Sequence, residues 1–490
     1  NMVVWLMLGA PFVLAVSRPN IVWIMADDLG YGEVGLYPAG SAHGRLSTPN
    51  LETFGTEGLR FTDAYAGYTV CAPSRTTLFT GYHSGHFGAK GLSGTDLTNA
   101  TTLPTLAGLL QQAGYATAVL GKSAPLSHPL QLGVDHFVGQ TDQGLCHNMY
   151  PRMIDQGAGT QNVNLSLNWA VPNDAGAARS ACMAHPDRFN YTADITQQQS
   201  LVWLQLQAEQ QQQAKQQGKP GQPFFLYQSF TIPHAGGWGH APLQPEQGAP
   251  VPSDGMYVNQ SGWPEVEKDH AAVVTYLDSF VGETMSKLKE LGLDENTVVF
   301  FASDNGAHNE GHHDHTFFNS TGGLRGFKRS LYEGGVRSPT MVRWPGKIKA
   351  GVSSFQWAFW DVLPTLAELA GARVPEGLDG VSIVPTLLGE KQASKPYLYW
   401  TWPGKGKRGP NDSKSGYSVR VADWKGVVDH CGSTNAPHAN DSAKMQVYHL
   451  PSDPFETNDV SATSQGKLQV QAFLKLLLAD STLSCTCFQC

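Results

Sequence analysis

Residues 20 to 28 read NIVWIMADD. A run this apolar, closed by two aspartates, reads as a strand covered on both faces. Three further runs repeat the pattern. YATAVLG (115–121) ends at Lys122, PFFLYQSF (223–230) stops just before His234, and TVVFFA (297–302) ends at Asp304 and Asn305. A helical stretch, LPTLAGLLQQAG (103–114), precedes the second run. Strands alternating with helices predict the α/β class. In open α/β sheets, ligands bind beyond the carboxyl ends of the strands. The pattern therefore predicts one rim carrying Asp27, Asp28, Lys122, His234, Asp304 and Asn305. Polar residues end many strands without any function; the signal here is that all of these runs end in charged or metal-capable side chains.

Working outward, residues 197–222 are rich in Gln and close on GKPGQ, which reads as a solvated helix and loop without chemistry. DVLPTLAELAGA (361–372) and LDGVSIVPTLLG (378–389) close the large domain, predicted over 18–390. A smaller unit, 391–490, reads as a small antiparallel sheet with a helix near 467–478. At 490 residues the chain has room for one large domain and one small one. Its formal charge of −8 gives no general attraction to nucleic acid or acidic membranes, so an anionic substrate would need locally gathered cations.

Residues 2–16, MVVWLMLGAPFVLAV, are too short to span a bilayer comfortably. With Ala15 and Ser17 at a cleavage point, residues 1–17 read as a signal peptide, and no other stretch reads as a membrane span. Export into a secreted or lysosomal-type compartment fits seven N-x-[ST] triplets, at Asn99, Asn164, Asn190, Asn259, Asn319, Asn411 and Asn440. The seven cysteines leave six for three disulfides if Cys71 is consumed chemically.

The most specific motif is CAPSRTTLFTG, residues 71–81. It resembles the signature of the formylglycine-dependent sulfatases, in which the cysteine is oxidised to an aldehyde. The hydrate of an aldehyde offers two hydroxyls on one carbon, one to attack sulfur and one to expel sulfate later. RPNIVWIMADDLGYG, STPNLETFGTEGLRFTDAYA, PFFLYQSFTIPHA, ASDNG, LRGFKRSLYEGGVRSP and HLPSDPFETND follow the family's order along the chain. The resemblance implies an alkaline-phosphatase-like α/β sandwich built on a large mixed sheet. It implies Ca²⁺ held by Asp27, Asp28, residue 71, Asp304 and Asn305, and such an all-oxygen set suits Ca²⁺ or Mg²⁺ better than zinc. It implies Arg75, Lys122 and Lys328 around the sulfate and His234 as proton donor to the leaving alcohol. The implied partners are a sulfated small molecule or glycan and, during maturation, a formylglycine-generating enzyme.

The resemblance breaks at one point. The family reads G-K-W-H-L-G after the strand carrying Lys122, whereas this chain reads GKSAPL (121–126), with Ala124 in place of a histidine thought to assist sulfate release. Slow turnover is the expectation, with His128 as a nearby substitute. The stretch AHNEGHHDH (307–315) admits a zinc site through His308 and His312 at helical spacing. It also resembles the H-x-E-G-G-H-D run of some sulfatases, which makes His308 and His313 pocket-wall residues facing substrate. Two other functions stay open: phosphate or phosphonate ester hydrolysis on the same metal site, and sulfated-sugar binding without catalysis.

Overall fold

The computed structural model describes residues 18–37, 44–90, 103–157, 161–237, 248–402, 416–429 and 439–484, with positions 92, 94, 96, 97 and 437. Its centre is a ten-stranded sheet. Across it run Gly351–Ser353, Leu59–Phe61, Thr340–Arg343, Thr297–Ser303, Asn20–Asp27, Phe224–Pro233, Ala116–Lys122, His136–Gln140, Met153–Gln156 and Gln161–Asn164. The five from Thr297–Ser303 to His136–Gln140 are mutually parallel. Antiparallel pairs flank them on both sides.

Side-chain alternation divides the interior in two. Ile21, Trp23 and Met25 enter one apolar cluster, and Val22, Ile24 and Ala26 enter another. Phe224 and Leu226 likewise oppose Phe225 and Tyr227. Both faces of each central strand are thus covered, which is why these runs are apolar throughout rather than alternating. Trp23 stacks on Phe300 of the neighbouring strand at 5.1 Å, an arrangement worth roughly 0.5–1.5 kcal/mol beyond the area it buries.

The Gln-rich stretch is the helix and exposed connection expected, but one face of the helix's first half is buried. It belongs to a helix, Thr192–Gln216, whose Thr196, Ser200, Trp203 and Leu204 are buried. That helix packs against the strands Phe224–Pro233 and Ala116–Lys122. Gln197 Nε2 reaches Glu283 at 2.9 Å, and Gln228 Nε2 donates to Gln197 Oε1 at 2.7 Å. Buried amides that satisfy one another let a polar sequence cover a sheet, a pairing that composition does not disclose.

The smaller sheet joins Leu398–Trp402, Gly416–Val421, Trp424–Val428 and Gln446–His449, all antiparallel, with the helix Ser464–Leu478 against it. It shares a core with the large sheet through Trp400, Val427 and Tyr448 and keeps its own through Val419, Val447 and Phe473. Lys425 Nζ of this sheet sits 2.8 Å from Glu333, at the head of the short helix Glu333–Val336, and 3.2 Å from Glu456, all three buried.

Cys146 and Cys182 are both free and buried, so the expected three disulfides are not formed. Cys431, Cys485, Cys487 and Cys490 lie outside the described residues, as do residues 1–17 with their cleavage point, Asn99 and Asn411. Asn164, Asn259 and Asn440 are exposed, while Asn190 and Asn319 are half-buried. No helix among the described residues is long and apolar enough to cross a membrane.

Candidate active site

The four strand ends meet at one rim. Asp27 closes its strand, and Asp28 follows in a left-handed conformation, φ 69°. A non-glycine residue held there indicates a backbone fixed by its surroundings at some cost. Asp28 N donates to Asp304 Oδ1 at 3.1 Å, and Asn305 Nδ2 donates to Asp28 Oδ1 at 2.6 Å. The next residue, Gly306, admits no side chain, because a Cβ would stand 1.8 Å from Gly334 O.

Cys71 opens the helix Cys71–Thr80, all of whose residues are buried. The helix stops at Gly81, whose φ of 76° favours glycine and whose N–H caps Thr77 O. Arg75, one turn after Cys71, shares its face. Arg75 Nε donates to Asp304 Oδ2 at 2.8 Å, and Nη2 lies 2.7 Å from the same oxygen. Arg75 also donates to Ser229 Oγ, which in turn donates to Lys122 O at 2.7 Å. Lys122 Nζ donates to Asp27 Oδ2 at 2.6 Å. Lys328 Nζ donates to Asp28 Oδ2 at 2.7 Å and to Glu310 Oε2 at 2.9 Å, and stands 2.9 Å from His234 Nε2. His234 Nδ1 donates to Ala235 O.

These buried charges set one another's protonation. Burial opposes ionisation of Asp27, but Lys122 and Arg75 beside it hold its carboxyl well below the usual range. Burial, with Asp27 alongside, pushes Asp304 up to about 7. Burial and Lys328 disfavour a charge on His234, yet Asp28 and Glu310 outweigh them, and its pKa ends above the ordinary imidazole value. Burial raises the Cys71 thiol despite the field of Lys122, which is the opposite of what a thiolate nucleophile needs.

The donor atoms are grouped closely enough to suit a hard cation. Asp27, Cys71 and Asp304 bring ligand atoms within 4.8 Å of one another, as do Asp27, Asp28 and His234. Asp27 Oδ1 and Asn305 Oδ1 are buried without any hydrogen-bond partner. Two orphaned oxygens among three carboxylates are what a divalent ion would satisfy.

The histidine-rich run is a loop rather than a helix, and His312 is exposed in a left-handed turn, so His308 and His312 do not share a helical face. His308 is buried beside His234, with ring centroids 5.9 Å apart. Its Nε2 meets Pro233 O at 3.1 Å, and burial holds its pKa down to about 4. His313 lies in a further layer, against Glu267 Oε2 at 2.7 Å and stacked on His270 at 3.7 Å. His128 is exposed at the surface, which removes it as a stand-in for the missing histidine, and Ala124 is buried.

Three side chains at the site escaped the sequence reading. Glu310 bonds Lys328 and meets His234 Nε2 at 3.1 Å; its signal was its place within AHNEGHHDH. Gln143 Nε2 donates to Cys71 Sγ at 3.1 Å. His147 Nε2 is 3.2 Å from Lys122 Nζ. The last two sit on a connecting segment with no periodicity to mark them.

An α/β fold with clustered carboxylates and a ring of positive side chains at the strand ends defines the class, and comparison with known proteins gives the family. The sulfatase family model matches residues 19–372, a second model, for the C-terminal region of N-sulphoglucosamine sulphohydrolase, matches 323–482, and the chain belongs to the sulfatase family. It is an enzyme for hydrolysis of sulfate esters. It is 31% identical to arylsulfatase A of Homo sapiens over 97% of this chain and 90% of that protein. It is 28% identical to N-acetylgalactosamine-6-sulfatase of Canis lupus familiaris over 94% of this chain and 84% of that one. A crystal structure of Ps i-CgsB in complex with k-i-k-neocarrahexaose shares the fold, with a TM-score of 0.68, 24% identity and coverage of 95% and 94%.

Proposed function

We propose that this chain hydrolyses sulfate monoesters of carbohydrates or aryl alcohols, using residue 71 after its oxidation to formylglycine, with Ca²⁺ beside it. The observation that carries the reading is Cys71 at the head of a buried helix, ringed by Asp27, Asp304, Arg75, Lys122 and Lys328. Asp27, Asp28, Asp304 and Asn305 would hold the ion together with residue 71. When bound, the ion would supply Lewis-acid polarisation at the sulfate and lower the pKa of the attacking hydroxyl of residue 71.

The chain's own residues divide the remaining work. Lys122 and Lys328 neutralise the sulfate and keep its oxygens oriented, each locked by a carboxylate behind it. Arg75 holds Asp304 and, through Ser229, the backbone at Lys122, which keeps the rim rigid. His234, with its proton favoured by Asp28 and Glu310, donates it at Nε2 to the departing alcohol oxygen. His308 steadies the wall beside His234, and His313 supports it from behind. The likeness to sulfatases named for aryl and amino-sugar substrates supports a sulfated glycan or aryl ester. Export through the secretory route and the division of the chain near residue 390 belong to the same proposal.

The test is a paired assay with an aryl sulfate and the matching aryl phosphate. Hydrolysis of the sulfate alone is expected. Faster hydrolysis of the phosphate would replace this reading with a phosphoesterase.

A further inference from the structure

The segment after the strand His136–Gln140 reaches back over the nucleophile. Gln143 lays its amide on Cys71 Sγ at 3.1 Å. Four residues on, the half-buried His147 brings Nε2 to 3.2 Å from Lys122 Nζ and stacks on His234 with ring centroids 4.0 Å apart and planes 7° from parallel. The backbone holds it there. Gly237 N donates to His147 O at 2.9 Å, and Met149 N donates to Gly237 O at 3.2 Å. His147 is thereby tied to the stretch that carries His234.

The contact with Lys122 decides the tautomer. An ammonium has three donors and no acceptor. Lys122 is the one polar partner of His147 Nε2 among the described residues, so Nε2 presents its lone pair and the ring proton resides on Nδ1; His234 Nε2 differs in also facing the carboxylates of Asp28 and Glu310. The result is a neutral imidazole whose Nδ1–H has no acceptor among the described residues. The chain thus places an imidazole beside Lys122 from another element, although position 124 carries only an alanine methyl.

We propose that His147 supplies the imidazole missing at Ala124, orienting Lys122 through Nε2 and donating its Nδ1–H to an oxygen of the bound sulfate group. A neutral donor adds direction to a pocket already rich in cations without adding a further charge. Its stack on His234 sets it beside the point where the alcohol departs. No bond other than hydrogen bonds changes in this role. The inference rests on the sulfate-ester reading of the same site.

The test uses the full-length, calcium-supplemented protein and titrates inorganic sulfate by calorimetry, beside kcat/KM for an aryl sulfate. Three variants separate the two nitrogens: His147→Ala removes both, His147→Asn keeps an N–H near Nδ1, and His147→Gln keeps an amide near Nε2. Loss of a hydrogen bond to a charged group predicts sulfate affinity roughly 10-fold or more weaker in the alanine variant. Asn should retain most of the wild-type affinity, and Gln should resemble Ala. The same order is expected in kcat/KM, which decides alone where sulfate binds too weakly to titrate or the alanine variant fails to fold. Equal values for wild type and all variants, or Gln above Asn, would overturn the role of His147. A wild-type protein that hydrolyses no aryl sulfate would instead remove the functional reading beneath it.

Discussion

Arg75 and Asp304 form a fully buried ion pair, Nε to Oδ2 at 2.8 Å, at the point where the metal is expected. Burial and the neighbouring Asp27 push that carboxylate toward protonation, and Arg75 opposes the shift without reversing it.

Asp304→Ala follows from that pair. It should abolish both stoichiometric calcium and activity. Leaving Arg75 buried without its partner should also cost about 3–5 kcal/mol of stability. Elemental analysis and denaturant unfolding measure the two effects separately. Bound zinc with activity indifferent to Asp304→Ala would place the metal elsewhere.

Position 71 is read out by peptide mass spectrometry. Protein secreted from a competent host should carry an aldehyde there, trappable by a hydrazide. Cys71→Ser should fold, since the side chain is buried at a helix start and nearly isosteric, yet lose multiple turnover. Active enzyme with only thiol at position 71 would remove the formylglycine from the mechanism.

Glu310 tests the acid. Asp28 and Glu310 raise the pKa of His234 against burial and Lys328. Glu310→Gln removes one of these anions, so His234 should lose its proton at lower pH. The alkaline limb of the kcat profile should shift downward by about one unit, the smaller end of the effect of a neighbouring charge. An unmoved limb, measured with an aryl sulfate of fixed leaving group, would assign the proton to another donor.

His83 makes a prediction about stability rather than activity. Both of its ring nitrogens are buried without a hydrogen-bond partner. Burial holds its pKa at about 4 although Asp379 faces it. Between roughly pH 6.5 and 4 the unfolded chain therefore binds a proton that the native chain refuses, and stability falls as pH is lowered through that window. His83→Phe removes the titration. Its unfolding free energy should depend less on pH across the window and should be no lower than wild type at pH 7. A steeper dependence in the variant would contradict this account.

The alternation of apolar runs with polar endings determined the rim by itself. NIVWIMADD and TVVFFASDN can be buried on both faces only as central parallel strands, and parallel strands end on one side. Asp27, Asp28, Lys122, His234, Asp304 and Asn305 were legible for that reason. Cys71, Arg75 and Lys328 were legible through the resemblance of CAPSRTTLFTG and LRGFKRSLYEGGVRSP to sulfatase motifs, and the helix turn then sets Cys71 against Arg75.

Glu310, Gln143 and His147 obey no such rule. They lie on connections, where no period relates sequence position to direction, and each reaches the site through packing settled far along the chain. His147 faces Lys122 because residues 147–149 pair with Gly237. The Gln-rich helix is covered because Gln197, Gln228 and Glu283 satisfy one another across three elements. His128, the nearer histidine in sequence, turns to the surface. Local pattern sets which residues end a strand, whereas only the assembled fold, by bringing remote backbone segments into hydrogen-bonding reach, decides which loop side chain meets them.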